Sequence, residues 1–331
     1  MTPNPTLLTV VLNYKTPDMT MQAVEAALRE MSGIKGCLIV VDNDSRDGSF
    51  EKMQAEVAKR KWDSNGRVKV VQSSHNGGFG AGNNFGILAG IAAQPETDFI
   101  YILNSDAFPD QGSIQALIKA LLGNSEIGFA GSYIHGPDNA PHATAFRFPG
   151  ILSEFENAIR FGPVSKLLAK YKVSLPIPKA TQHVDWLAGA SMMMRRTVLQ
   201  EIGLFDENFF LYFEETDLCR RATRAGYPVL YVRESEVTHI GSVSTGMKTW
   251  KRMPKYWFAS RKYYFTKNYG AAYAMLVTVA HVFGGLLWRL RRIIQSKPQA
   301  DPDHFLRDLV AYDVRHFPKR NSANIPEIPE G

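Results

Sequence analysis

Apolar and polar positions fall into blocks along the first 135 residues, and the blocks keep a regular rhythm. Residues 7–13 form a continuous apolar, β-rich run, and residues 19–30 show helical spacing of their apolar positions. Residues 37–42 ("CLIVVD") predict a second strand and 49–60 a helix. Residues 68–72 predict a third strand and 84–93 a helix of small residues. A fourth strand is expected at 99–103, a helix at 113–122 closed by Gly123 and Asn124, and a fifth strand at 127–134. Near-continuous apolar strands separated by helices indicate an α/β fold, with a mostly parallel sheet covered on both faces.

The rhythm breaks at residues 136–183, where Pro137, Pro141, Pro149, Pro163, Pro176 and Pro178 predict a partly mobile loop over the substrate. It returns at 184–196 and 203–232, which ends in a strand leading to "THIGSVSTG" at 238–246. The chain after residue 297 is polar and proline-rich, and its last ten residues read as disordered.

Sheets of this kind bind ligands beyond the carboxyl ends of their strands. Four polar segments sit there: Asn13 and Tyr14, "DNDSRDGS" from Asp42, "HNGGFGAGNN" from His75, and "NSD" from Asn104 to Asp106. Composition narrows the chemistry only slightly. The 331 residues are 45% hydrophobic and 21% charged, with net charge +6 and pI near 9.1. Such a balance suits an anionic membrane surface or a phosphorylated substrate as well as nucleic acid. Cys37 and Cys219, without a CxxC pair, indicate a reducing compartment and no zinc site. The N-terminal run lacks the basic region of a signal peptide.

The glycine run at 77–82 invites a dinucleotide reading, but that fingerprint belongs after the first strand with an acid about 20 residues on. Here it follows the third strand, so NAD is rejected. It remains a loop packed beside a nucleotide, opening a helix whose N-terminus favours anions. Asp42 suits a ribose hydroxyl or base N–H, or an N-cap turn. Asp106 suits a hard divalent cation, held by one or two protein oxygens plus phosphate oxygens, or a turn. His239 would add nitrogen and tilt Mg²⁺ toward Mn²⁺, or is an ordinary half-buried histidine. In "FEETDLCRR", Glu214 and Asp217 share a helix face while Glu215 points about 100° away. A facing pair, as in a hydrolase, is therefore excluded. One of the two glutamates could act alone as a base, and Asp217 reads as first-turn helix charge.

Taken in order, "TVVLNY", "IVVDNDSRDGS", "NGGFGAGNNFG", "YILNSD", "WLAGASMMMRR", "FDENFFLYFEETDLCRRATRAGY" and "HIGSVSTG" resemble family 2 glycosyltransferases, most closely the bacterial rhamnosyltransferase-like branch. The resemblance runs over residues 7–246 and implies a GT-A fold, a nucleotide-sugar donor, Mn²⁺ or Mg²⁺, and inversion at the anomeric carbon. It implies that Asp42 binds the nucleoside with Asn13 and Asn83, and that Asp106 is the metal acid of a DxD-like motif reading Asn-Ser-Asp here. Asn43, Gly78, Asn104 and Ser105 join the donor-binding set. Position matching makes Glu215 the base, within a Glu-Glu pair where relatives carry Glu-Asp. His239 falls near the metal and diphosphate, and Trp186, Gly189, Ala190 and Glu214 on the acceptor side. Residues 1–250 would be the catalytic domain, split into a nucleotide half (1–135) and an acceptor half (136–250). An amphipathic helical segment (251–297) and a tail (298–331) would follow.

Residues 271–288 are mostly apolar, just short of a span of about 20 residues, between aromatic- and lysine-rich "KTWKRMPKYWFASRKYYF" and "RLRR". That pattern fits an interfacial helix at a lipid surface or a core helix with a basic edge; a full span fits least. Membrane attachment would serve a polyprenyl-diphosphate-linked acceptor, as in many relatives. The expected function is transfer of a deoxysugar, L-rhamnose from dTDP-L-rhamnose, to a lipid-linked or growing bacterial surface glycan, at the cytoplasmic face of the membrane. A UDP-hexose or HexNAc transferase of the same fold, or a non-catalytic nucleotide-sugar-binding protein, is the alternative. No nucleic-acid partner is expected, and the oligomeric state is left open.

Overall fold

The computed structural model describes residues 4–241, 250–299, 301–316 and 322–329. The chain opens with β1 (Leu7–Asn13), α1 (Pro17–Glu30), β2 (Gly36–Asp42), α2 (Ser49–Lys59), β3 (Val68–Gln72) and α3 (Gly78–Ala93). Next come β4 (Phe99–Asn104), β5 (Ala107–Pro109), α4 (Ser113–Gly123) and β6 (Phe129–His135). A less regular stretch carries β7 (Ala145–Phe146), α5 (Ile151–Ile159), α6 (Gly162–Leu167), β8 (Gln182–Val184), β9 (Trp186–Leu187) and β10 (Ser191–Arg195). Then follow α7 (Arg196–Ile202), α8 (Glu214–Arg224) and β11 (Val229–His239). Helices α9 (Lys255–Tyr269), α10 (Ala271–Ile294) and α11 (Phe305–Arg315) close the chain.

The main sheet runs β3-β2-β1-β4-β10-β6-β11-β5, with β8 added alongside β11. Strands β3, β2, β1 and β4 are parallel, as the apolar runs predict. The fourth and fifth predicted strands are not neighbours, because β10 lies antiparallel between β4 and β6. Alternate residues feed two cores. Leu7, Val11, Leu38, Val40, Tyr101 and Leu103 face α1, α2 and α4. Leu8, Val10, Ile39, Val41, Ile100 and Ile102 face α3, α7 and α8. Both sheet faces are thus dry, which is why these strands read as unbroken apolar runs.

The glycine run departs from expectation. Helix α3 starts at Gly78 rather than Asn84, so most of the expected loop is helical. A Cβ at Gly86 would lie 2.6 Å from Val10 Cγ1 and 2.7 Å from Val41 Cγ2, and Gly82 and Gly90 press on Leu12 and Leu8 one turn either side. These glycines let the helix approach the sheet. Gly78 itself has φ 87°, and a side chain there would collide with the Phe210 carbonyl oxygen.

Residues 136–183 carry short elements where the sequence predicts a loop. Residues 322–329, read as disordered, are docked: the Asn324 and Pro326 carbonyls accept from the Glu207 and Leu204 N–H groups, and Ile328 is buried. Short apolar anchors in a polar, proline-rich tail carry no period that sequence reading can detect. Residues 242–246 of the "THIGSVSTG" segment lie outside the described residues.

Helix α10 has two apolar faces. Ala274, Val277, His281, Gly284, Gly285 and Trp288 are buried, with Gly284 against the Phe155 carbonyl of α5 and Gly285 against Leu306 of α11. Its opposite stripe, including Leu276, Val279, Phe283, Leu286, Leu290 and Ile293, is exposed. By length and composition this is the one helix among the described residues able to cross a membrane. Beneath it sits a buried ionic clasp. Arg261 of α9 donates to Glu154 Oε2 of α5 at 2.7 Å, His281 Nδ1 bonds the same oxygen at 2.9 Å, and Arg261 also reaches Thr278.

Candidate active site

The carboxyl ends of β1 and β2 are in register, and Asn13 Nδ2 donates to Asp42 Oδ1 at 2.8 Å. Ser45 Oγ donates to the same oxygen at 2.6 Å and Gln72 Nε2 to the other at 3.1 Å. Thr20 in turn donates to Asn13 Oδ1. Asp42 is thereby buried and fixed, its carboxylate oriented by Asn13 and Gln72 at strand ends and by Ser45 of the following loop. Asn43 turns the other way, donating to Asn76 Oδ1 and the Gly78 carbonyl, and Asn83 donates to the Phe79 carbonyl of its own helix. Gly78, Asn43 and Asn83 therefore brace the entry to α3 in this structure. Asn84, which the sequence does not single out, clamps the Phe205 backbone through both N–H and C=O.

Asp106 stands between β4 and β5, and β11 runs antiparallel to β5 so that His239 lies opposite Ala107. His239 Nε2 and Asp106 Oδ1 are 3.1 Å apart, and Asn104 Nδ2 approaches the same ring nitrogen at 3.5 Å. The Asn104 N–H donates to the Ala190 carbonyl, and Ser105 Oγ meets Thr16 Oγ1 at 3.4 Å. A carboxylate oxygen and an imidazole nitrogen this close can both ligate one divalent ion, and the mixed donor set fits Mn²⁺.

Two consecutive left-handed residues, Tyr212 and Phe213 (φ 70° and 71°), swing the chain into α8 and set Glu214 and Glu215 at its first turn. Non-glycine residues hold such a conformation at an energetic cost, and it recurs at functional sites. Glu215 Oε1 would lie 3.7 Å from a Cβ on Gly189, whose other side meets the Phe79 ring. Burial raises the Glu215 pKa, opposed by its own N–H and that of Gly189. Glu214 is buried beneath Gly80 and Phe205. Burial and then the Glu215 charge push it well above the usual carboxylate range. The Oε2 atoms of both glutamates are buried and have no partner. Asp217 is structural, paired with Arg221 and Lys267 at 3.0 and 2.7 Å.

A raised carboxylate pKa means that the folded state binds its proton more tightly than the unfolded chain. The native state is therefore penalised as pH rises above the ordinary glutamate value. Glu214→Gln is expected to stabilise the protein by about 1 kcal/mol at pH 8 and by less at pH 5. Urea melts at the two pH values check this, and an equal effect at both would refute it.

Trp186 stacks on Phe146 with centroids 4.1 Å apart and donates Nε1–H to the Arg147 carbonyl, and Gly189 follows in the connection from β9 to β10. A further cluster escaped sequence reading. Asp110, His135 and Glu236 place three potential ligand atoms within 4.8 Å. His135 Nδ1–H donates to the Gly136 carbonyl and Nε2 lies 2.9 Å from Asp110. Burial pulls the His135 pKa down, but these two partners outweigh it and raise it. Its three residues come from separate elements with no motif spacing.

Strand-end carboxylates on a sheet of mixed strand direction, with Glu215 of an acidic helix start beside Gly189, fit a glycosyltransferase of the GT-A architecture. Residues 3–270 match the profile of "Glycosyltransferase like family 2", and the chain belongs to that family. It is 29% identical over 248 residues to the N-acetylglucosaminyl-diphospho-decaprenol L-rhamnosyltransferase of Mycobacterium tuberculosis, covering 72% of this chain and 78% of that protein. To the rhamnosyltransferase WbbL of Escherichia coli it is 25% identical over 164 residues, 49% of this chain and 60% of the other. In fold it is similar to the mannosyltransferase PcManGT of Pyrobaculum calidifontis, solved with GDP-Man and Mn²⁺. The TM-score is 0.54 at 13% identity, covering 95% of this chain and 81% of that one.

Proposed function

We propose that this glycosyltransferase is inverting and metal-dependent, moving L-rhamnose from dTDP-L-rhamnose to a lipid-linked or growing surface glycan at the cytoplasmic membrane face. The observation that carries the reading is the Asp106–His239 pair, 3.1 Å apart at the strand ends, on the sheet edge that also holds Asn13 and Asp42. The donor identity rests on the two rhamnosyltransferase relatives.

Asp42, held by Asn13, receives the nucleoside. Asp106 and His239 hold the ion, which when bound neutralises charge on the departing diphosphate. Glu215 takes the proton from the acceptor hydroxyl as that oxygen closes on the anomeric carbon from the face opposite the leaving group. Its buried setting makes it a stronger base than a free carboxylate. Trp186, Gly189, Ala190 and Glu214 shape the acceptor side.

A thermal-shift panel of dTDP, UDP, GDP and ADP, with and without Mn²⁺, tests the reading. A nucleotide at 100 times its dissociation constant adds about 2.7 kcal/mol. A Mn²⁺-dependent shift with dTDP is expected in the wild type and in His135→Ala, and lost in Asp106→Ala. A shift with UDP instead would keep the enzyme class and discard the sugar. Loss in His135→Ala alone would move the metal to the second cluster.

The exposed stripe of α10, edged by Arg289 and Arg292, suits the interface of an anionic bilayer. Replacing Leu286, Leu290 and Ile293 together by Gln is expected to abolish co-sedimentation with phosphatidylglycerol vesicles. Undiminished binding would end the membrane reading.

A further inference from the structure

Neighbouring arginines on α8 have opposite fates. Arg221 is saturated by Asp217 and the carbonyls of Ile202, Gly203 and Leu204. Arg220 has no ion pair or hydrogen bond among the described residues, and its Nε is buried without a partner. Its guanidinium lies 4.2 Å from the Tyr269 ring centroid and 5.1 Å from that of Phe148. The rings contact the cation without supplying a hydrogen-bond acceptor to its Nε.

The position gives this unpaired cation meaning. Arg220 sits five residues beyond Glu215 on one helix, a rise of about 7.5 Å and a turn of about 140° round its axis, so the two side chains leave different faces. Phe148 follows the Phe146–Trp186 stack, its N–H held by Asp185 at 2.7 Å. Tyr269 stacks at 4.4 Å on Tyr273, in the first turn of α10. Arg220 therefore lies between the acceptor wall and the helix with the exposed apolar stripe. A planar fork with no counter-ion is suited to bidentate capture of phosphate oxygens.

We propose that Arg220 receives a phosphate or diphosphate on the acceptor, between the sugar that is attacked and the lipid that carries it. This rests on the glycosyl-transfer reading. Calorimetric titration with inorganic pyrophosphate and with farnesyl diphosphate, in EDTA to silence metal-dependent donor binding, tests it on the full chain. Arg220→Gln is expected to weaken farnesyl diphosphate at least tenfold, and Arg220→Lys, which keeps charge but loses the fork, by an intermediate factor. A parallel loss for pyrophosphate assigns recognition to the diphosphate itself; a loss confined to farnesyl diphosphate assigns it to the lipid-linked form. Phosphatidylglycerol vesicle binding should not change. No binding by the wild type, or unchanged affinity in Arg220→Gln, overturns the proposal; if that variant fails to fold, unchanged affinity in Arg220→Lys does so. Mn²⁺-dependent nucleotide binding, measured on the same preparations without EDTA, should survive in Arg220→Gln. Its absence from the wild type would fail the glycosyl-transfer reading separately.

Discussion

Glu215→Gln is expected to lower turnover by about 10²–10⁴-fold, the range typical of a lost general base, while Mn²⁺-dependent nucleotide binding stays intact. The amide keeps the size of the carboxylate and its approach to Gly189, so the pocket wall is preserved and only proton acceptance is lost. The pH profile adds a second readout. A base works deprotonated, so wild-type activity falls as pH drops through the Glu215 pKa. Burial raises that value, moving the acid limb upward from the ordinary glutamate value of 4.5. The limb should vanish from the residual activity of the variant. Retention of wild-type turnover would remove Glu215 from the chemistry and direct attention to its neighbours.

The second large effect is structural. Glu154→Ala leaves Arg261, only 1% exposed, and His281 without their shared carboxylate. Uncompensated buried charge of this kind costs about 3–5 kcal/mol. Burial alone would raise the Glu154 pKa, but Arg261 and His281 overcome it and hold it at about 2. The contribution is therefore complete above the ordinary glutamate value of 4.5 and is lost as pH falls from there toward 2. Urea melts of wild type and variant should differ widely at pH 7 and converge near pH 2.5. A gap that does not change with pH would mean that packing, not charge, fixes α5 to α9 and α10.

The central strand was legible because burial on both faces erases polar alternation: residues 7–13 match β1 to the residue. Edge strand β3 also matches 68–72, though only Val68 is buried there. The start of α3 was not legible, since a glycine run looks like a helix breaker. Only the nearness of Val10 and Val41 shows why glycine is needed inside that helix. The place of β10 depends on pairing with β4 and β6 across long chain separations, which local pattern does not encode. At the site, Asp106, Glu215 and His239 stood out through their ordered motifs. The burial of Glu214, the triad of Asp110, His135 and Glu236, and the unpaired state of Arg220 depend on neighbours distant in sequence.

The insertion of β10 also sets an order of events during synthesis. Until Ser191–Arg195 leaves the ribosome, the edge of β4 has no partner, and β6 cannot join the sheet formed by β1 to β4. More than half the chain must wait in a state with a long apolar strand edge uncovered, the kind of template that recruits other chains. Slowing translation once Arg195 has cleared the exit tunnel should therefore spare the nascent protein, while a stall before Ser191 has emerged should expose it to chaperones and to aggregation.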